Sequence, residues 1–287
     1  MKRDHLLPVR LDDTRIAILG LGLMGGSLGL GLKGHCRSCW AYDPNPDVIT
    51  MALDLGIVDH AADHPSEILA GADMVILAAP VLSIIDWIAR LPELMPNPAV
   101  IMDLGSTKAE ICRALETLPD RFDPIGGHPM TGKEKSGLRH AEGSLYHGAA
   151  FALSVLPRTS QRARGLASAV VKAVGADELW IDPLIHDRYA AATSHAPYLI
   201  SAALGLSIPA DSAALIGPGF RSMTRLAASS PALMKEIIAT NPANILNSLA
   251  EFRSQLDRLE TLVRGNNIDE LDAALTSAAE HISVIHG

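Results

Sequence analysis

A chain of 287 residues is long enough for about two domains. Its 48% apolar and 20% charged content excludes a disordered chain, and its longest apolar run, Met74 to Ile85, is interrupted by Pro80 and Ser83 and falls short of the ~20 residues of a membrane helix. A net charge of −8 argues against nucleic acid as a main partner.

The opening MKRDHLLPVRLDD carries no apolar block of the kind a secretory signal needs, and Cys36, Cys39 and Cys112 are too few and odd for a disulfide framework. A reducing cytoplasm is the expected location. Arg15 to Leu19 then reads as a strand ending in Gly20. Gly20-Leu21-Gly22-Leu23-Met24-Gly25 follows it and opens a helix. In that context Gly20 permits the tight turn, Gly22 lets a pyrophosphate approach the backbone, and Gly25 lets helix and strand pack closely. The helix start, including Leu23 and Met24, offers unpaired N–H groups to the phosphates. Gly26, Gly29 and Gly31 read as close helix packing.

Ser38 to Tyr42 forms a second strand, ending in Asp43 at about the 20-residue spacing expected of a ribose-binding acid. Its carboxylate would accept both ribose hydroxyls and repel a 2′-phosphate, which favours NAD over NADP. Cys36-Arg37-Ser38-Cys39 has no second pair at zinc-ligand spacing, so it is read as structural and no metal site is expected.

Met74 to Ala79 is a strand ending in Pro80, a further cofactor-side candidate, and Ala99 to Met102 ends in Asp103. In Asp103-Leu104-Gly105-Ser106-Thr107-Lys108, Ser106 or Thr107 either caps a helix from Thr107 to Leu118 or presents a hydroxyl to a substrate. Phe122 to Gly126 precedes a Gly-Gly-His-Pro turn that would hold His128 at a strand end. Open α/β sheets bind ligands there, and a histidine exchanges protons near neutral pH. A plain surface histidine is the alternative. Phe151 to Leu156 and Leu179 to Ile181 complete the strands, with a helix over Ser160 to Val174. This alternation predicts an α/β, Rossmann-type, mainly parallel sheet domain over residues 1–182.

An all-helical domain is expected over residues 183–287. His195 lies in Thr193-Ser194-His195-Ala196-Pro197-Tyr198, where Pro197 would kink a helix. Arg221 and Arg225, four apart, would share one helix face and suit an anionic ligand or acidic neighbours. Leu246, Leu249, Phe252, Leu256, Leu259 and Val263 form one apolar stripe. A helical domain of about 100 residues cannot hide all of it, so part should meet a second copy in a homodimer.

Taken together, GLGLMGGSLGLGL with YDPN, ADMVILAAPV, DLGSTK, GGHPMTGKEKSG, TSHAPYLISAAL and GPGFRSMTRLAASSP resemble the prephenate/arogenate dehydrogenase family of tyrosine biosynthesis. The resemblance implies a dinucleotide-binding domain, a helical dimerisation domain, and oxidative decarboxylation of a small cyclohexadienol with hydride transfer to NAD. It implies that His128 takes the C4 hydroxyl proton and that Ser106 contacts the same hydroxyl and orients His128. It implies that Arg225 binds the ring carboxylate, with Arg221 a second candidate, and that His195 lines the pocket near the substrate's side chain. No chorismate mutase segment and no regulatory domain are expected beside these two domains. A β-hydroxyacid dehydrogenase is the runner-up, although Lys235 in PALMKEI lacks that class's glycine block. A non-catalytic redox sensor would account for the first domain alone. Prephenate and arogenate stay undivided at this level.

Overall fold

The computed structural model describes residues 10–133 and 135–286. The first nine residues, which begin the stretch expected to lack a secretory signal, lie outside that range. Among the described residues one sheet is built from β1 (Arg15–Leu19), β2 (Ser38–Tyr42), β3 (His60–Ala61), β4 (Met74–Leu77), β5 (Ala99–Asp103), β6 (Phe122–Pro129), β7 (Ala150–Val155) and β8 (Asp177–Trp180). Its order is β3-β2-β1-β4-β5-β6-β7-β8. The strands from β3 across to β6 run parallel; β7 pairs antiparallel with β6 and parallel with β8.

Helices α1 (Leu23–Leu32), α2 (Pro46–Asp54), α3 (Pro65–Leu69), α4 (Val81–Leu94), α5 (Ala109–Glu116) and α6 (Gln161–Ala173) fill the crossovers. Both sheet faces are covered, which is why the central strands read as unbroken apolar runs. On β1, Ile16 and Ile18 join Leu28, Leu32 and Val170 on one face. Ala17 and Leu19 join Ile84, Ile88 and Leu91 on the other. The chain then turns helical: α7 (Pro183–Ala190), α8 (Ala196–Ser207), α9 (Pro218–Thr224), α10 (Pro231–Thr240), α11 (Pro242–Arg264) and α12 (Ile268–His286). Asp182 starts this part by accepting the amides of Leu184 and Ile185 ahead of Pro183. No helix among the described residues is long and apolar enough to cross a membrane.

Three local readings are corrected. The expected Gly-Gly-His-Pro turn is strand: β6 continues to Pro129 because Gly126, Gly127, His128 and Pro129 pair with β7 up to Phe151. The proline removes one donor at the strand's last residue, where the ladder can lose it. Pro197 does not kink a single α-helix; one π turn, Ala191–His195, separates α7 from α8 and absorbs it. Arg221 and Arg225 do not share an α-helix, since α9 ends at Thr224 and Arg225 begins a 3₁₀ turn, Arg225–Ala228.

Candidate active site

The parallel strands bring the loops after β1, β2, β4 and β5 to one edge, the carboxyl edge of the sheet. The cradle there has the shape its glycines foretell. Gly20 sits at φ +102°, and a Cβ on it would stand 2.4 Å from the Ala78 carbonyl oxygen. A Cβ on Gly25 would meet Gly20 O at 2.0 Å, whereas nothing lies within 4 Å of a Cβ on Gly22. Gly22 is the N-cap of α1, so open space faces the amides that begin the helix. Gly26, Gly29 and Gly31 face Leu138, Ile57 and Val174 closely, as packing glycines do. Tyr146, fully buried, ties down this helix start by donating to Met24 O at 2.7 Å.

Asp43 follows β2 beside the cradle. Its Oδ2 accepts the Leu21 amide at 2.9 Å and its Oδ1 the Asn45 amide at 3.0 Å. A carboxylate oxygen has two acceptor sites, so both oxygens keep one for a ribose hydroxyl. Pro80 is the N-cap of α4. The next residue but one, Leu82, donates its amide to Glu236 of α10 at 3.0 Å, so the helical part reaches the sheet edge here. These features fit a dinucleotide.

The loop after β5 is held by a charge that sequence reasoning missed. Lys108 is fully buried. Its ammonium contacts the buried Asp103 carboxylate and donates to Gly127 O at 2.8 Å. Asp103 also accepts the amides of Gly105 at 2.8 Å and Gly127 at 3.0 Å. One ion pair therefore fixes the loop bearing Ser106 to the residue before His128. Neither Ser106 nor Thr107 is the N-cap of α5. That helix starts at Ala109, and Asp187 of α7 accepts the amides of Lys108 at 2.6 Å and Ala109 at 2.9 Å. Thr107 instead meets the Thr240 hydroxyl at 2.9 Å.

His128 is half-buried on β6, next to the loop that carries Ser106. Its Nδ1 lies 2.8 Å from His186 Nε2, and His186 Nδ1 lies 2.8 Å from Asp187 Oδ1. Burial first, then His186, Lys108 and His195, hold the His128 imidazole well below the ordinary histidine value. The ring is therefore unprotonated at neutral pH and available as a base. His195 ends the π turn and is buried. Burial, with His186 adding and Asp187 opposing, brings it down to about 4. Asn241 links it to the rest: its Nδ2 donates to Asp187 O at 2.7 Å and lies 3.3 Å from His195 Nδ1.

His186, Asp187 and Asn241 were not singled out in the sequence. The only signal was a His-Asp pair just past the Asp182-Pro183 break. Arg221, on α9, and Arg225, on the 3₁₀ turn after it, are exposed, and both elements pack against α8. The thiols of Cys36 and Cys39 are free, and burial pushes Cys36 up to about 11. Among the described residues no cluster of His, Cys, Asp or Glu could hold a metal ion.

Comparison with known proteins identifies the family. The family model for the prephenate dehydrogenase nucleotide-binding domain matches residues 28–178, and that for the prephenate dehydrogenase dimerization domain matches residues 182–277. The prephenate dehydrogenase of Bacillus subtilis (strain 168) is 29% identical over 282 residues, covering 95% of this chain and 76% of the relative. The crystal structure of an A. aeolicus prephenate dehydrogenase in complex with hydroxyphenyl propionate and NAD+ superposes with a TM-score of 0.87 at 29% identity, covering 95% of this chain and 98% of that one. The Synechocystis arogenate dehydrogenase structure gives 0.81 at 26%, covering 94% and 99%.

Proposed function

The chain belongs to the prephenate dehydrogenase family, and from that membership we propose how its residues divide the reaction. It is an NAD-dependent dehydrogenase of tyrosine biosynthesis. It oxidatively decarboxylates prephenate to 4-hydroxyphenylpyruvate, or arogenate to tyrosine. The family match over both halves of the chain does not favour the β-hydroxyacid dehydrogenase or redox-sensor readings.

Bound NAD supplies the acceptor for the hydride that leaves ring C4. His128 hydrogen-bonds the C4 hydroxyl and takes its proton as the C–H bond breaks; Ser106 contacts the same hydroxyl. Loss of the ring carboxylate as CO2 returns an electron pair to the ring, and His128 gives the proton back to the phenol oxygen. Arg225 binds the ring carboxylate, with Arg221, four residues earlier, the second candidate. Its work is orientation, because tightening on a departing carboxylate would favour the ground state. Aromatisation supplies the drive. His195 lines the pocket near the side-chain end. Gly20, Gly22, Leu23, Met24, Gly25 and Pro80 hold the dinucleotide, and Asp43 holds the ribose hydroxyls. The observation that carries this reading is the place of His128: an imidazole at the same sheet edge as the cradle, 2.8 Å from the buried His186 and held well below the ordinary histidine value first by burial. Steady-state assays with prephenate and arogenate, each with NAD and NADP, test it; turnover of neither substrate would end it.

In the same assays, Asp43→Ser is expected to narrow the preference for NAD, since the carboxylate's repulsion of a 2′-phosphate is lost. Equal or better kcat/KM with NADP in the unaltered protein would refute that role. Arg225→Ala should lower kcat/KM by about 2–4 kcal/mol, mainly through KM, because the substrate carboxylate loses its charged partner. NAD affinity should hold, and Arg225→Lys should recover only part, since an ammonium lacks the planar fork. Arg221→Ala is the control: an equal loss would move the anion site or share it. Weakened NAD binding with an unchanged substrate KM would discard the assignment.

We place the dinucleotide-binding domain at residues 1–182 and the substrate and dimerisation domain at 183–287, acting as a cytoplasmic homodimer. Leu246 and Val263 of the predicted stripe are 62% and 63% exposed in the single chain, and Phe252 and Leu256 are exposed too. Leu275, Ile282 and Val284 of α12 are exposed apolar residues as well. Sedimentation should give twice 30.4 kDa; a monomer at micromolar concentration would contradict the dimer.

A further inference from the structure

We propose that His186 and Asp187 are a positioning pair that locks the ring of His128 with Nδ1 protonated and Nε2 bare toward the substrate. The catalytic part of this proposal rests on the function given above; the tautomer does not. The starting point is Asp187, which is 1% exposed and surrounded by donors. Its Oδ1 accepts the Lys108 amide and its Oδ2 the Ala109 amide, both backbone donors at the start of α5. An ionised carboxylate only accepts, so His186, 2.8 Å from Oδ1, must donate from Nδ1. A neutral imidazole that donates at one nitrogen accepts at the other. In the proposed state His186 is neutral, so its Nε2 accepts and the atom 2.8 Å away, His128 Nδ1, donates. That leaves Nε2 of His128 with its lone pair, the form a general base requires.

His128 comes from β6, the Lys108–Asp103 ion pair lies beyond it, and His195 ends the π turn. Asn241, ahead of α11, holds the Asp187 carbonyl. When His128 gains the substrate proton, the new positive charge lies one imidazole away from the Asp187 carboxylate, which steadies it. Asp187 also caps α5 while belonging to α7, so the pair sets the ring of the base and the seating of the helical part on the sheet together.

The tautomer is measurable without any ligand. Long-range ¹H–¹⁵N correlations of labelled protein, with the His128 ring assigned by its loss in His128→Asn, should show Nδ1–H at pH 7. An Nε2–H ring would overturn the proposal. In kinetics, His186→Leu removes the acceptor and should lower kcat by about 10²–10³-fold with KM within about threefold. His186→Gln, whose amide oxygen can accept from Nδ1, should recover most of that loss and keep the acid limb of the pH profile. A His186→Leu protein with kcat within about threefold of the original would also overturn the pair. Should His186→Leu fail to fold, the ring state of the unaltered protein and the kcat of His186→Gln still decide. If the unaltered protein turns over neither prephenate nor arogenate, the functional reading fails, and the NMR result judges the pair by itself.

Discussion

His128→Asn is expected to lower kcat by about 10²–10⁴-fold while the substrate KM changes little. Asparagine is chosen because its side-chain amide, with both a donor and an acceptor group, can still bond His186 Nε2, which lies 2.8 Å from His128 Nδ1. The bracing contact survives and the base alone is removed. The pH profile carries a second signature. The His128 imidazole is held well below its ordinary value of 6.5, first by burial. The acid limb of kcat/KM should therefore fall below pH 6.5, with activity lost as pH drops and the ring is forced to take a proton. In His128→Asn that limb should vanish. A variant with near-normal kcat would refute the role, and an acid limb above 6.5 would show that the ring is not desolvated in the working enzyme.

How much of this was readable in the sequence depends on how local each constraint is. The cradle is legible because Gly20 needs a positive φ and Gly25 needs contact with the Gly20 carbonyl, so residue type and spacing are both dictated within six positions. Asp43 is legible for the same reason, one βαβ unit later. The strands of the doubly covered sheet announce themselves as short apolar runs. The end of β6 does not. Gly-Gly before His-Pro has turn chemistry, and only pairing with β7, more than twenty residues on, keeps it extended. His186 is 58 residues from His128, and nothing in a lone His-Asp pair says which ring it will brace. The capping of α5 by Asp187, 79 residues from Lys108, was equally hidden, so Ser106 and Thr107 were the natural candidates. The α11 stripe is visible as periodicity, but whether it faces its own core or a second chain is decided by packing, which leaves Leu246 and Val263 outside.

Lys108 is the sharpest instance, because a lysine at a helix start is ordinarily solvated and here it is wholly enclosed. Lys108→Met should cost about 3–5 kcal/mol of stability and lower the melting temperature by roughly 10 °C. The cost lies in what is left behind. Methionine fills much of the same volume, so the loss is not chiefly a cavity. The Asp103 carboxylate stays buried, keeps the amides of Gly105 and Gly127, and loses its only ion-pair partner among the described residues. The Gly127 carbonyl loses a donor at the same stroke. Because Gly127 precedes His128, the damage should reach catalysis even where the protein is fully folded. Measured well below its melting temperature, the variant should show reduced kcat, whereas Arg90→Ala, at an exposed pair with Asp86, should change neither property. A Lys108→Met protein melting within about 2 °C of the original would mean that water or a shift of the loop after β5 satisfies Asp103 without the ammonium. In that case the ion pair would not be what holds Ser106 and His128 at one edge.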